Sequence, residues 1–319
     1  MTLAKIAFLV TTLSISTSIL ADAIAVGNQI PGPEICSRNE INPATQARFE
    51  QDFRLRKLAR ASSKATSNSS LTNGPLNVFF HVISLDDTEE GGNVNDQTIE
   101  AQIDVLNTGF EPTGIQFRLA KVTRTVNESW FHSVDWQHPL ELVMKTALRE
   151  GGPADLNVFT VGFTETPTLG YATFPSEVIS NPLLDGVVIS YAVLPGSTAP
   201  GRGIGKVLIH EVGHWVGLYH TFQGGCFNSG DEVDDTPPEQ RPATGCPIGR
   251  DTCPFDDLPD PVQNYMNYSD DDCMTHFTPG QIVRLREQIS IYRGINVDPF
   301  NSIVGTEWAL IARFYEENV

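Results

Sequence analysis

The sequence is short of positive charge. Its 21 lysines and arginines face 39 aspartates and glutamates, a formal net charge of -18. A surface of that sign repels phosphate, which argues against a general nucleic-acid or anionic-membrane partner. Long apolar runs are missing too. Beyond the first two dozen residues no stretch is long and apolar enough to cross about 30 Å of hydrocarbon. Neither an internal repeat nor a coiled-coil heptad pattern is present, so repeat and coiled-coil architectures are set aside. Cysteine is scarce: Cys36, Cys226, Cys246, Cys253 and Cys273 make five, and an odd number cannot all pair within one chain. What remains is ordinary. The chain has 319 residues, 40% of them hydrophobic and 19% charged, enough for one or two domains with a substantial core.

The N-terminus reads as a secretory signal over residues 1–23. Lys5 precedes a mainly apolar stretch from Ile6 to Leu20, which ends in Ala21-Asp22-Ala23, an A-x-A cleavage pattern. The stretch is too short and too rich in Ser and Thr for a membrane anchor. Export into an oxidising compartment favours disulfides, and four cysteines lying within 48 residues allow three pairings. Residues 24–72 read as a pro-segment with an uncertain boundary, the alternative being an extension without a role. Within it only residues 43–60 look helical, and the Ser/Thr/Asn-rich run from Ser62 to Asn73 reads as linker.

Residues 73–319 have the character of a folded domain. Leu76 to Ile83 is almost uninterruptedly apolar, as in a buried strand. Asp96 is placed to cap a helix bearing Ile99, Ile103, Leu106 and Phe110. Further strands are expected at Ile115–Val122, Leu156–Phe163 and Gly186–Leu194. Helices are expected at Pro139–Arg149, Ile204–Leu218 and from Thr278-Pro279-Gly280 onward, and Trp308, Leu310 and Phe314 suggest a packed tail. Alternating strands and helices predict an α/β or α+β layer. Residues 224–272 differ: Gly, Pro, Asp and Cys dominate, and such a long irregular stretch is uncommon unless functional or cross-linked.

One string carries chemistry. His210-Glu211-Val212-Gly213-His214-Trp215-Val216-Gly217-Leu218-Tyr219-His220 has the form H-E-x-x-H-x-x-G-x-x-H. On a helix His210 and His214 lie one turn apart on one face, so two neutral imidazoles reach one cation. Catalytic zinc takes three protein ligands and a water, and His220 supplies a third. A straight helix would carry His220 about 15 Å along its axis, so the chain must turn back, and Gly217 is suited to that. Glu211 is the general base: a zinc ion lowers the pKa of its water to about 7, and a carboxylate beside it takes the proton. The rival reading makes His210 and His214 core residues. His81, His132, His138 and His276 are read as structural or surface residues.

The sequence resembles the metzincin metallopeptidases, and within them the pappalysin family of secreted fungal and microbial enzymes. The resemblance rests on the long histidine motif, on Asn264-Tyr265-Met266-Asn267-Tyr268, on His220-Thr221-Phe222, on Gly230 to Pro237 and on Cys273 to Gln281, and spans about Leu76 to Arg293. It implies a twisted, mostly parallel five-stranded sheet with an antiparallel edge strand, an active-site helix and a smaller irregular lower subdomain. A peptide substrate would bind extended against the edge, near Gly170 to Pro175. Met266 would lie beneath the zinc imidazoles without ligating, and Tyr268 would assist catalysis near the metal. The resemblance pairs Cys226 with Cys253 and Cys246 with Cys273. It places a structural calcium ion in the acidic region, with Asp231, Thr236 and, more weakly, Glu239 as ligands. It also offers Cys36 as a pro-segment thiolate on the open zinc position, making the pro-segment an inhibitor. Cys36 is followed by Ser37 where the family usually has glycine, so a free or intermolecular thiol stays open. Asn68, Asn127 and Asn267 are glycosylation sequons, with Asn127 favoured and Asn267 expected to be unmodified.

Together these readings predict an extracellular zinc endopeptidase acting on proteins or peptides. A narrow peptidase on short substrates and a non-catalytic zinc-binding protein are the alternatives.

Overall fold

The computed structural model describes residues 34–36, 41–62, 74–197, 199–227, 230–253, 255 and 258–297. The expected signal, Asn68 with most of the linker, Ser37, and the tail with Trp308, Leu310 and Phe314 lie outside the described residues.

The inner strands of the sheet bury both faces. Strand β2 (Leu76–Ser84) lies between β3 (Phe117–Val126) and β4 (Leu156–Val161), parallel to both, and β4 pairs in parallel with β6 (Val187–Ser190). Strand β5 (Thr168–Ala172) runs antiparallel to β6 and forms the expected antiparallel edge of the five strands. Side chains alternate across the sheet. Val78, Phe80, Val158, Val187 and Ile189 enter one apolar cluster; Ile83, Phe159, Val161 and Val188 enter another on the opposite face. Burial on both sides explains the near-continuous apolar runs seen in sequence. A sixth strand was not anticipated: β1 (Glu34–Cys36) adds to β5 in parallel, with Cys36 opposite Gly170.

Helix α1 (Pro43–Ser62) covers the helical expectation in the polar segment and buries Gln46, Glu50 and Phe53 on one stripe. Helix α2 (Asp96–Phe110) buries Ile99, Ile103, Leu106 and Phe110 as its periodicity predicts. Its cap is Asn95, whose side chain accepts from Thr98 N at 2.9 Å, while Asp96 sits in the first turn and pairs with Arg124. Asp96 is therefore not the cap; a neutral amide one residue earlier meets the first free N–H groups. Short helices α3 (Glu128–Ser133) and α4 (Pro139–Leu148) follow β3 and pack on each other. Two strands end earlier than expected. Phe163 has a positive φ, and residues Tyr191–Val193 form a 3-10 turn after β6. Among the described residues no helix is long and apolar enough to cross a membrane.

Helix α5 (Lys206–Trp215) is packed under α2 and the sheet, with every residue after Lys206 buried. Helix α6 (Pro279–Tyr292) opens with a capping box in which Thr278 accepts from Gln281 N and the Gln281 side chain accepts from Thr278 N. It packs against α1. Between α5 and α6 the chain is irregular and held by two interleaved disulfides, Cys226–Cys253 and Cys246–Cys273, each closing a separation of 27 residues. These are the pairings the resemblance implied. In the chain-entropy account each stabilises the fold by about 3–4 kcal/mol.

Candidate metal centre

The site begins with the ends of α5. Its N-terminus has no local cap, because Gly205 stands there with φ 93. Asp271, from the segment after Met266, serves instead: its carboxylate accepts from the N–H groups of Ile204, Gly205 and Lys206 at 3.0, 3.1 and 3.3 Å. At the other end Gly217 takes φ 106, its N–H bonds to His214 O, and Leu218 N–H bonds to Gly213 O. This pair of bonds closes the helix with a left-handed glycine and turns the chain back toward its own axis.

The turn returns His220 to the two helix histidines. His214 Nε2 lies 3.2 Å from His210 Nε2 and 3.0 Å from His220 Nε2. His210 Nδ1 is 2.7 Å from Tyr265 O, and His214 Nδ1 is 2.7 Å from Leu218 O. A carbonyl only accepts, so both Nδ1 atoms carry the proton and both Nε2 atoms present lone pairs. Two lone pairs 3.2 Å apart in a buried site repel unless a cation lies between them. The donor set therefore fits a divalent metal, and imidazole nitrogen suits zinc.

Cys36 stands on the same point. Its Sγ, His214 and His220 form a group whose ligand atoms all lie within 4.8 Å of one another, and His210 joins it through His214. The Cys36 Sγ is 3.7 Å from Glu211 Oε2. Glu211 thus faces the position that the thiol occupies. Gly170 makes room for this: a Cβ there would lie 2.9 Å from Glu211 Cγ and Oε1. Tyr268 donates its hydroxyl to Cys36 O at 3.3 Å and packs 5.0 Å from the His220 ring. Arg202, which no motif pointed to, donates to the carbonyls of Tyr268 and Ser269 and so fixes the chain carrying Tyr268.

Met266 is fully buried and lies beneath α5, where a Cβ on Gly213 would come within 2.3 Å of its Sδ. In an ordinary helix interior Gly→Ala stabilises by about 1 kcal/mol. Here Gly213→Ala is expected to do the opposite, lowering stability by about 1–3 kcal/mol through overpacking. It should also weaken metal retention, since His210 and His214 flank that position. Thermal unfolding and metal content measure both effects, and an unchanged or raised Tm would show that Met266 is not held against the helix.

Burial lowers the pKa of His210 to about 4, with its bond to the Tyr265 carbonyl pulling it back. Burial also lowers His81 and His276. A histidine with a depressed folded pKa resists a proton that the unfolded chain accepts below about 6.5. His210 should therefore contribute stability to the metal-stripped protein that is present above about pH 6.5 and lost on acidification toward pH 4, while the buried carboxyl of Asp231, raised to about 7, contributes in the opposite sense. The part due to His210 is on the order of 3 kcal/mol. Urea unfolding midpoints across pH 4–8 for metal-free wild type and His210→Asn check this; a wild-type advantage over the variant that grows on acidification would contradict it.

The acidic region is organised differently from the histidine centre. Asp231 is buried, its oxygens lie 2.8 Å from Thr236 Oγ1, and burial raises its pKa to about 7. Glu239 does not join this pair: its carboxylate is taken by Arg250, by Thr221 Oγ1 at 3.0 Å and by Asn267 Nδ2 at 2.8 Å. Among the described residues the only group of three or more His, Cys, Asp or Glu converging on one point is Cys36, His214 and His220. Asn267 is fully buried and its Nδ2 is spent on Glu239, so a glycan does not fit there. Asn127 caps α3, its side-chain oxygen accepting from Trp130 N.

Comparison with known proteins agrees with this geometry. The peptidase M43 family model, described as Pregnancy-associated plasma protein-A, matches residues 156–290. An extracellular metalloprotease of Verticillium alfalfae is 41% identical over 271 residues, 84% of this chain and 89% of that protein. One from Sordaria macrospora is 44% identical over 221 residues, covering 68% and 75%. Mature mirolysin of Tannerella forsythia, solved with a cleaved peptide, superposes with a TM-score of 0.59 at 28% identity, covering 70% of this chain and 97% of that one. A promirolysin mutant from the same organism superposes at 0.62 with 26% identity, covering 79% and 92%. The chain belongs to the pappalysin family of extracellular zinc metalloproteases.

Proposed function

We propose that His210, His214 and His220 hold one zinc ion through their Nε2 atoms, and that Glu211 is the general base and acid of an endopeptidase. The observation that carries this is the convergence of three imidazoles, two with their lone pairs fixed inward, beside a buried carboxylate. The ion supplies Lewis-acid polarisation of the substrate carbonyl and acidification of the attacking water. The chain's own residues do the rest. Strand β5 offers its edge to an extended peptide by backbone hydrogen bonds, the edge that β1 covers here. Glu211, facing the point where Cys36 Sγ stands, takes a proton from the water there and returns it to the leaving amine. Tyr268, half-buried beside His220, is placed to donate its hydroxyl to the oxyanion.

The same reading makes residues 1–23 a signal, residues 24–72 a pro-segment and residues 73–319 the catalytic domain. It gives Cys36 the role of a thiolate ligand that keeps water and substrate away until the pro-segment leaves. It is supported by the burial of Cys36 and its place among His214, His220 and Glu211. Calcium has a narrower basis, the Asp231–Thr236 pair, with Glu239 committed to Arg250.

Chelation followed by metal add-back tests the assignment. The processed protein treated with a chelator should lose all cleavage of an internally quenched peptide. One equivalent of zinc should restore it. Calcium alone should restore no activity and act only on the Tm. Full cleavage by protein proven free of transition metal would overturn the proposal.

A further inference from the structure

The pro-segment is held at a second place, well separated in sequence from the thiol. Glu50 on α1 inserts between Arg284 on α6 and Tyr219, the residue before His220. Its oxygens accept from Arg284 Nη2 at 2.6 Å, from Arg284 Nη1 at 3.2 Å and from Tyr219 OH at 2.9 Å. The side chains of Glu50 and Arg284 are 7% and 8% exposed, so the pair is shielded from solvent. Arg284 is held by residues of the catalytic domain as well as by α1. Its Nε donates to Gly217 O at 3.1 Å, and its guanidinium lies 4.9 Å from the Tyr219 ring centroid. The nearby Asp231 is already bonded to Thr236 and to Val233 N. Around Glu50, α1 packs Phe53 on the Tyr292 ring and bonds Gln46 to Gln223 and to Gly230 O, whereas its exposed ion pairs, such as Lys57–Glu287, contribute little.

We propose that Arg284 and Tyr219 form a carboxylate-binding site on the catalytic domain, distinct from the metal centre, whose ligand is Glu50. Through this site the pro-segment stays bound after its chain connection is cut. The physical argument is one of unmet bonds. Without α1 the two Arg284 Nη groups and the Tyr219 hydroxyl lose their acceptor while the guanidinium stays fixed in place. A preorganised donor fork of this kind binds a carboxylate strongly, because little ordering remains to be done. Cleavage alone then does not activate the enzyme; release of the helix is a second event. Gly217, whose carbonyl receives Arg284 Nε, is the glycine that turns the chain toward His220, so the site adjoins the zinc motif through one hydrogen bond.

The inference rests on reading residues 24–72 as a removable pro-segment of an active peptidase. The test uses the full chain carrying an inserted recognition site for an exogenous protease between Ser62 and Gly74. Wild type, Glu50→Gln and Cys36→Ala versions are cut to completion and diluted. Size exclusion with intact-mass detection and cleavage of a quenched peptide are then followed. After cutting, the wild-type N-terminal piece should co-elute with the catalytic domain and hold activity down. Glu50→Gln should release it at about a 100-fold higher concentration, because a buried charge pair loses one partner. Cys36→Ala should still co-elute. Equal retention of wild type and Glu50→Gln, or release of the wild-type piece on cutting, overturns the proposal. So does complete release by Cys36→Ala alone. Once separated, the catalytic domains carry no residue 50 and must cleave at the same rate. Absence of cleavage by the separated wild-type domain would instead refute the peptidase reading.

Discussion

Replacing Glu211 by glutamine should lower kcat/KM on an internally quenched peptide by about 10³- to 10⁴-fold while leaving one zinc per chain. The side chain is buried and lies 3.7 Å from Cys36 Sγ, and the proposed ligands are the three imidazoles, so its loss removes a proton acceptor and no ligand. Glutamine keeps the shape that Gly170 accommodates but cannot take the proton. A loss of that size corresponds to about 4–5 kcal/mol of transition-state stabilisation, the range expected of a general base that also serves as general acid. Metal content by elemental analysis and kinetics on the processed protein read the two halves separately. Full zinc with undiminished cleavage would remove Glu211 from the mechanism and revive the reading of a binding protein.

Arg293→Ala should be the most damaging substitution outside the metal centre. The guanidinium is completely buried just beyond α6. It donates to both oxygens of Asp185 at 3.0 and 2.9 Å, to Pro153 O at 3.0 Å and to Trp215 O at 3.0 Å, and it lies 3.7 Å from the Trp215 ring centroid. Trp215 is the last residue of α5, so this one side chain clasps the end of the active-site helix to the loops ahead of β4 and β6. Burial pushes the Asp185 pKa up, but Arg293 and Arg149 together hold it below its ordinary value. Alanine leaves that carboxylate buried with the Arg149 guanidinium at 3.4 Å and the Thr173 hydroxyl at 3.0 Å. The cost of stranding such a charge is about 3–5 kcal/mol, and for a domain of this size it lowers Tm by about 10 °C. Removing both charges, as Arg293→Met with Asp185→Leu, should cost less than the single change. A single mutant that melts within a degree or two of wild type would refute this account.

The parts legible in the sequence are those with a local signature. His210, Glu211, His214, Gly217 and His220 follow a spacing fixed by one helical turn and one glycine. β2 shows as an apolar run and α2 as a periodic stripe. The disulfide pairing came from resemblance, since spacing leaves three choices. What stayed hidden is pairing across long sequence distances. Asp271 caps α5 from 65 to 67 residues away, and Glu50 meets Arg284 across 234. Neither has a periodic pattern to betray it. β1 and β5 are too short, at three and five residues, to carry an alternation signal, and β1 exists as a strand only because β5 offers it an edge. Glu239 looked available to a cation because sequence shows its charge and not the Arg250 that neutralises it.

The crossed arrangement of the two sulfur bridges has a consequence for a protein that works among proteases. Every peptide bond between Cys226 and Cys273 is spanned by at least one bridge, and those between Cys246 and Cys253 by both. Side-by-side pairing would have left the stretch between Cys246 and Cys253 without cover. A single nick anywhere in this exposed-looking acidic stretch therefore severs the backbone without parting the molecule. The strip carrying Met266 and Tyr268 stays tethered to the helix it supports.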